Sequence, residues 1–278
     1  MMPATDFPRT TIAATVAGTD SGGGAGIQAD LKSFAACGVY GVSVAVALTA
    51  QNTLGVLAVH GLPQEFLIAQ FEALDQDLRP RAVKTGMLFS APHIATVCQQ
   101  LRQRSWGPLV VDPVMVAKSG ASLLEPDAVA IMREQLIPMA QVVTPNWPEA
   151  AALTGRRVES EEEAIAAGQA ILQMGAGAVV VKGGHAPGPP TDVLISDQGL
   201  VRLPGKRIDS AHTHGTGCTF SAAITARLAV GDALEPAVRQ AKAYVASAIR
   251  HAPGLGSGHG PLEHFPPVVA GSGRRSEP

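Results

Sequence analysis

Short apolar runs alternate along the chain with longer stretches whose apolar residues recur every three or four positions, and glycine or a polar residue closes almost every run. Residues Thr11 to Gly18 (TIAATVAG) predict a buried strand by their length and flanks. The loop from Thr19 to Gly26 then leads into helical spacing at Ile27, Leu31 and Phe34. A second apolar run, Val39 to Ala50, ends at Gln51-Asn52-Thr53. Strand, glycine loop, helix and strand make a βαβ unit, which implies a parallel sheet with a right-handed crossover.

The alternation continues. Pro63 to Leu78, Ala91 to Arg104, Asp127 to Leu136 and Ala233 to His251 predict helices. Ala82 to Gly86, Leu109 to Asp112, Gln141 to Thr144 and Ala178 to Lys182 predict short strands. Ser160 followed by Glu161, Glu162 and Glu163 opens another helix, with acids where the dipole favours them. Asp192 to Ser196 and Leu200 to Leu203, joined through Asp197-Gln198-Gly199, predict an antiparallel hairpin at a sheet edge. That edge offers backbone groups to a second copy, so a homodimer is one expectation. No repeat period or linker divides the chain. The fold class expected is therefore α/β in three layers: a mostly parallel central sheet, helices on both faces and a small antiparallel edge hairpin. One domain over residues 10–265 is expected, with 1–9 and 270–278 as disordered termini.

Two features of this pattern suggest chemistry. Asp20, Gln51, Asp112, Asn146 and Lys182 each fall just after a predicted parallel strand, on the rim where open α/β sheets bind ligands. Any one of them alone is ordinary turn chemistry. The second feature is Thr213-His214-Gly215-Thr216-Gly217-Cys218, which precedes an Ala-rich helical run. Such a start aims free backbone N–H groups and the positive helix end at one point, an anion cradle. A cysteine in that first turn is expected to have a lowered thiol pKa. The alternative is a glycine turn before a core helix, with Cys218 a small buried apolar residue. Asn146 also has two readings: N-cap with Glu149 as its capping-box partner, or amide and carboxylate placed for Mg²⁺ through water.

Composition narrows the class. In 278 residues, 46% are apolar and 16% charged, which supports a large core and excludes wholesale disorder. A formal charge of −2 gives no handle for nucleic acid or acidic membranes. Three cysteines far apart, Cys37, Cys98 and Cys218, fit a reducing, cytoplasmic setting rather than a disulfide framework. No apolar run reaches membrane-spanning length.

Familiar motifs fit poorly. Gly24-Ala25-Gly26-Ile27-Gln28-Ala29 matches a dinucleotide fingerprint, but no acid stands at the end of the second strand to hold a ribose, where Gln51 stands instead. A Walker A loop is absent. His212, His214 and Cys218 lack metal-site pairing and read as structural.

The ordered set of short segments resembles the ribokinase-type kinases, and within them the hydroxymethylpyrimidine/phosphomethylpyrimidine kinases of thiamine synthesis. The segments are Ala17–Asp20, Gly23–Lys32, Ala50–Thr53, Lys84–Leu88, Asp112–Met115 with Ala117–Gly120, Thr144–Asn146 with Pro148–Ala150, Val181–His185 and Thr213–Cys218. The resemblance implies transfer of the ATP γ-phosphoryl group to 4-amino-5-hydroxymethyl-2-methylpyrimidine and then to its monophosphate. By carry-over, Gly18, Asp30, Gln51, Met87 and Val114 would line the pyrimidine pocket, and Lys182, Thr213 and Thr216 would bind ATP. Asp112, Asn146 and Glu149 would act near Mg²⁺. Gly215, Gly217 and Cys218 would hold the migrating phosphoryl group, with Cys218 as base where most ribokinase relatives have aspartate. Cysteine there also occurs in a group of related pyridoxal kinases, which leaves a cysteine-type pyridoxal kinase as the alternative. A non-catalytic pyrimidine or nucleotide sensor is the alternative from another class.

The chain departs from that family at two places. Asp20-Ser21-Gly22-Gly23-Gly24 lacks the usual proline, which is expected to loosen the loop by about 0.4–1 kcal/mol. Ala211-His212 replaces the usual Lys-Asn before the cradle, and protonated His212 is expected to substitute in part for the missing charge near the nucleotide.

Overall fold

The computed structural model describes residues 10–115 and 126–267. The resemblance segment Ala117–Gly120 and the expected disordered termini lie outside the described residues.

Among the described residues, nine strands form one sheet: β1 (Ile12–Gly18), β2 (Tyr40–Gln51), β3 (Val56–Gly61), β4 (Ala82–Thr85), β5 (Leu109–Val111), β6 (Val142–Val143), β7 (Ala178–Val181), β8 (Asp192–Ser196) and β9 (Gly199–Leu203). Their order is β3-β2-β1-β4-β5-β6-β7-β8-β9. From β2 to β7 all neighbours are parallel. The expected hairpin β8–β9 closes one end antiparallel to β7. The other end holds a strand that the pattern did not predict, β3, antiparallel to β2. Leu57 and Val59 on β3 are exposed, so no buried alternation marked it.

Among the described residues, eight helices cover the two faces: α1 (Gly26–Ala36), α2 (Gln64–Asp77), α3 (Ala91–Arg102), α4 (Pro126–Ile131), α5 (Trp147–Thr154), α6 (Glu161–Leu172), α7 (Thr216–Ala229) and α8 (Leu234–Arg250). The helix expected to run to Leu136 changes after Ile131 into a π turn (Met132–Leu136) and then a 3-10 turn. Neighbouring strand residues face opposite layers, as the pleat requires. Val111, Val143 and Val179 pack with Phe71, Ile94, Leu153 and Ile171 from α2, α3, α5 and α6. Val110, Val142 and Val180 pack with Phe220, Ile224, Val238 and Ala241 from α7 and α8. Burial on both faces makes these strands continuous Val runs rather than alternating ones. Among the described residues no helix is long and apolar enough to cross a membrane.

Candidate active site

The parallel strands deliver their C-terminal ends to one cleft of about 1070 Å³. Asp20, Gln51, Asp112, Asn146 and Lys182 all line it, so the polar residues of the predicted rim share a single cavity. Gly18, Met87, Val114, Glu149, Thr213, Gly215, Thr216, Gly217 and Cys218 line it too.

The glycine turn and the helix start form where the sequence placed them. Gly215 takes a left-handed conformation, φ 82°, as N-cap of α7, and its carbonyl accepts from Thr219 N at 2.8 Å. A side chain at Gly215 would run into the carbonyl oxygen of Gly24. The turn and the glycine loop after β1 therefore touch backbone to backbone. N–H groups at Gly217 and Cys218 lie in the first turn, where no intrahelical acceptor exists. The Thr216 hydroxyl donates to Thr213 O at 2.7 Å, which builds the turn.

Asp20 organises the glycine loop. Its Oδ1 accepts from Gly22 N at 2.8 Å and its Oδ2 from Gly24 N and Ala25 N at 3.0 and 2.8 Å. His214 Nε2 lies 2.8 Å from the same Oδ2 and 3.0 Å from Gln51 Nε2. Burial opposes ionisation of Asp20, but His214 and the backbone donors outweigh it and hold its pKa below the usual carboxylate value. These bonds pin the loop that was expected to loosen without proline.

Lys182 is the electrostatic centre of the wall. Its Nζ lies 3.0 Å from Asp112 Oδ1 and 3.6 Å from Glu149 Oε2. Asp112 Oδ2 also accepts from Ser221 Oγ on α7 at 3.2 Å. The capping reading of Asn146 holds here. It caps α5, its Oδ1 accepting from Glu149 N at 2.9 Å while its own N–H donates to Glu149 Oε2 at 2.7 Å. Burial pushes Glu149 up to about 7, against the attraction of Lys182 and with the repulsion of Asp112. No group of three or more acidic, His or Cys ligands is preassembled among the described residues. Two carboxylates that share a single ammonium nevertheless suit Mg²⁺, which binds through one or two carboxylates, water and substrate phosphates.

Three expectations need correction. Asp30 does not line the cleft: it is fully buried beneath it, where both its oxygens bind Lys84 Nζ at 2.7 Å. It stands on α1, which turns the carboxylate toward Thr15 of β1 and Lys84 of β4. The Cys218 thiol is not lowered by its helix position, since burial pushes it up to about 11 against the pull of Lys84. His212 does not line the cleft either; Gly254 and Gly260 pack on it, and its buried Nδ1 has no hydrogen-bond partner. Lys206, Arg207 and Lys242 instead bring positive charge to the lining. Lys84 lines the cleft and was missed as a site residue, because a lysine inside an apolar strand run gives no sign of its partner.

The C-terminal segment straps the cradle. His214 N donates to Gly260 O at 3.1 Å, and buried His264 meets Thr219 Oγ1 of α7 at 3.2 Å. Burial pulls the His264 pKa from 6.5 down to about 4. The unfolded chain therefore binds more protons between these values, and stability is lost as pH falls through that window. Urea titrations are expected to show a loss on the order of 2 kcal/mol between about pH 7 and 5 that His264→Gln lacks.

A family model described as phosphomethylpyrimidine kinase matches residues 20–263. The chain belongs to this family. A hydroxymethylpyrimidine/phosphomethylpyrimidine kinase of Rhizobium meliloti (strain 1021) is 53% identical over 260 residues, spanning 92% of this chain and 97% of the relative. The crystal structure of phosphomethylpyrimidine kinase from Clostridium difficile 630 matches with a TM-score of 0.77 at 43% identity, over 86% of this chain and 100% of that one. The ADP complex of Bacillus subtilis pyridoxal kinase matches with a TM-score of 0.86 at 36% identity, over 92% and 97% of the two chains. The three layers are thus the ribokinase-like fold expected from the resemblance.

Proposed function

We propose that the cleft binds 4-amino-5-hydroxymethyl-2-methylpyrimidine beside ATP and transfers the γ-phosphoryl group to the hydroxymethyl oxygen, then phosphorylates the monophosphate to the diphosphate. The enzyme class is that of its family, a phosphotransferase of the hydroxymethylpyrimidine/phosphomethylpyrimidine kinase type, acting in thiamine synthesis. The observation that carries the reading is one cavity holding Gln51, Met87 and Val114 together with the α7 N-terminus, Cys218, Lys182 and Asp112. Gln51 can read a ring nitrogen or the exocyclic amine, and Met87 can pack on the ring face. Gly18 leaves the space that Met87 fills, since a side chain there would strike the Met87 methyl.

The chemistry asked of the protein is positioning and charge stabilisation. The first-turn amides of α7 hold the phosphoryl oxygens, Lys182 neutralises phosphate charge and Cys218 accepts the hydroxyl proton. Asp112, Glu149 and Asn146 would hold Mg²⁺, which supplies charge neutralisation at the phosphates when bound. Three free cysteines fit work in the cytoplasm.

The pyridoxal kinase likeness gives a specific second reading, because pyridoxal also carries a ring-borne hydroxymethyl group. Comparing kcat/KM for both substrates separates the two. The pyrimidine is expected to win, and a preference for pyridoxal of about tenfold or more would overturn the assignment. A non-catalytic sensor has no use for a proton acceptor at the cradle.

A further inference from the structure

His214 is fixed on three sides. Its backbone N–H donates to Gly260 O, a bridge pairs it with Pro261, and Gly24 packs so closely that a side chain there would strike the imidazole Cδ2. Its Nε2 faces two polar groups at once, Asp20 Oδ2 at 2.8 Å and the Gln51 amide at 3.0 Å. Gln51 is fixed from behind. Its backbone N–H donates to Ser21 Oγ at 2.8 Å, and its backbone carbonyl accepts from the same hydroxyl at 2.7 Å.

One ring nitrogen cannot donate and accept together. Asp20 Oδ2 already accepts from Gly24 N and Ala25 N, so toward His214 it is again an acceptor and Nε2 carries the hydrogen. An amide nitrogen at 3.0 Å then sets N–H against N–H. A half-turn of the Gln51 amide about its last bond replaces that conflict with a hydrogen bond, the Nε2 hydrogen being shared between Asp20 Oδ2 and Gln51 Oε1. The NH2 group becomes the end of the amide that faces away from His214. Such a group only donates, and on a heteroaromatic ring it can read a bare ring nitrogen but not an amine.

We propose that His214, held by Asp20, is the positioning residue that turns Gln51 donor-first into the cleft, so that the site selects rings presenting an unprotonated ring nitrogen to it. This rests on the proposed binding of 4-amino-5-hydroxymethyl-2-methylpyrimidine and decides between the two contacts open to Gln51. The exocyclic amine is not what Gln51 recognises.

The test is titration calorimetry at a single pH with the full-length enzyme and no ATP, so that no turnover is needed. Four ligands are compared: the parent pyrimidine, the two pyridines in which one ring nitrogen is replaced by CH, and the pyrimidine whose amine is replaced by hydrogen. Wild type is set beside Gln51→Ala and His214→Leu. In wild type one pyridine is expected to bind at least about tenfold more weakly than the parent, a penalty that shrinks to within about threefold in both variants. The penalty for losing the amine should be the same in all three proteins. A merely structural role for His214 would weaken every ligand alike and leave these ratios untouched. Where His214→Leu fails to melt cooperatively, Gln51→Glu decides. It keeps an oxygen toward His214 and replaces the donor with an acceptor, so the parent should bind at least about tenfold more weakly. A ring-nitrogen penalty that persists in His214→Leu, an amine penalty that vanishes in Gln51→Ala, or wild-type affinity for the parent in Gln51→Glu would each overturn the proposal. Pyrimidine binding without any ring-nitrogen penalty overturns this inference alone, whereas no pyrimidine binding overturns the proposed substrate as well.

Discussion

Cys218→Ala is expected to lose at least about a hundredfold in kcat while binding ATP and pyrimidine nearly as before, the usual scale for a lost acid or base group. Alanine keeps a small side chain and the first turn of α7, so the first-turn amides stay in place. Only the proposed proton acceptor goes. The free thiol lies high, at about 11, because burial outweighs Lys84. A base must be deprotonated to act, so wild-type kcat is expected to climb with pH between about 7 and 9, and the alanine variant to lose that slope. Steady-state kinetics of both enzymes across that range check both statements. Turnover near wild type in Cys218→Ala would leave the cradle standing and remove the cysteine from the mechanism.

Gly215→Ala is expected to damage the enzyme through geometry rather than chemistry. The residue sits at φ 82°, and a methyl group there would collide with the Gly24 carbonyl oxygen. Left-handed strain alone costs on the order of 1 kcal/mol for a side chain. Gly38→Ala isolates that part, because Gly38 has φ 75° and open space around it. The difference between the two variants measures the collision. To relieve it the glycine loop and the α7 turn must part, moving the amides proposed to hold the phosphoryl group. A displacement of about 1 Å in such a site costs about a hundredfold in rate. Thermal melts and kcat of both variants are the measurement: Gly38→Ala should lose stability only, and Gly215→Ala both. Wild-type kcat in Gly215→Ala would mean that the two loops need not touch.

The βαβ core was legible because buried parallel strands are written as continuous Val and Ala runs closed by glycine, and amphipathic helices as three- and four-residue spacing. The glycine turn was legible for a similar local reason: Gly215 caps the helix whose first turn holds Gly217. What failed was long-range. β3 pairs only on one side and leaves Leu57 in solvent, so nothing in its own pattern announces it. Asp30 and Lys84 are 54 positions apart, and each reads alone as an ordinary charged residue in an element. Cys218 follows the helix-terminus rule in position but not in pKa, because burial depends on β1, β4 and α1 closing over it. His212 likewise looked free to serve the nucleotide until the strap from Gly254 to Gly260 covered it.

The central claim is that this cleft phosphorylates a hydroxymethyl group on a pyrimidine, twice. Phosphorus NMR of the purified enzyme with ATP, Mg²⁺ and 4-amino-5-hydroxymethyl-2-methylpyrimidine tests it directly. The account predicts a monophosphate ester signal that appears as ATP becomes ADP and then gives way to a diphosphate. ATP left intact in the presence of the pyrimidine, under conditions where the enzyme is folded, would contradict it.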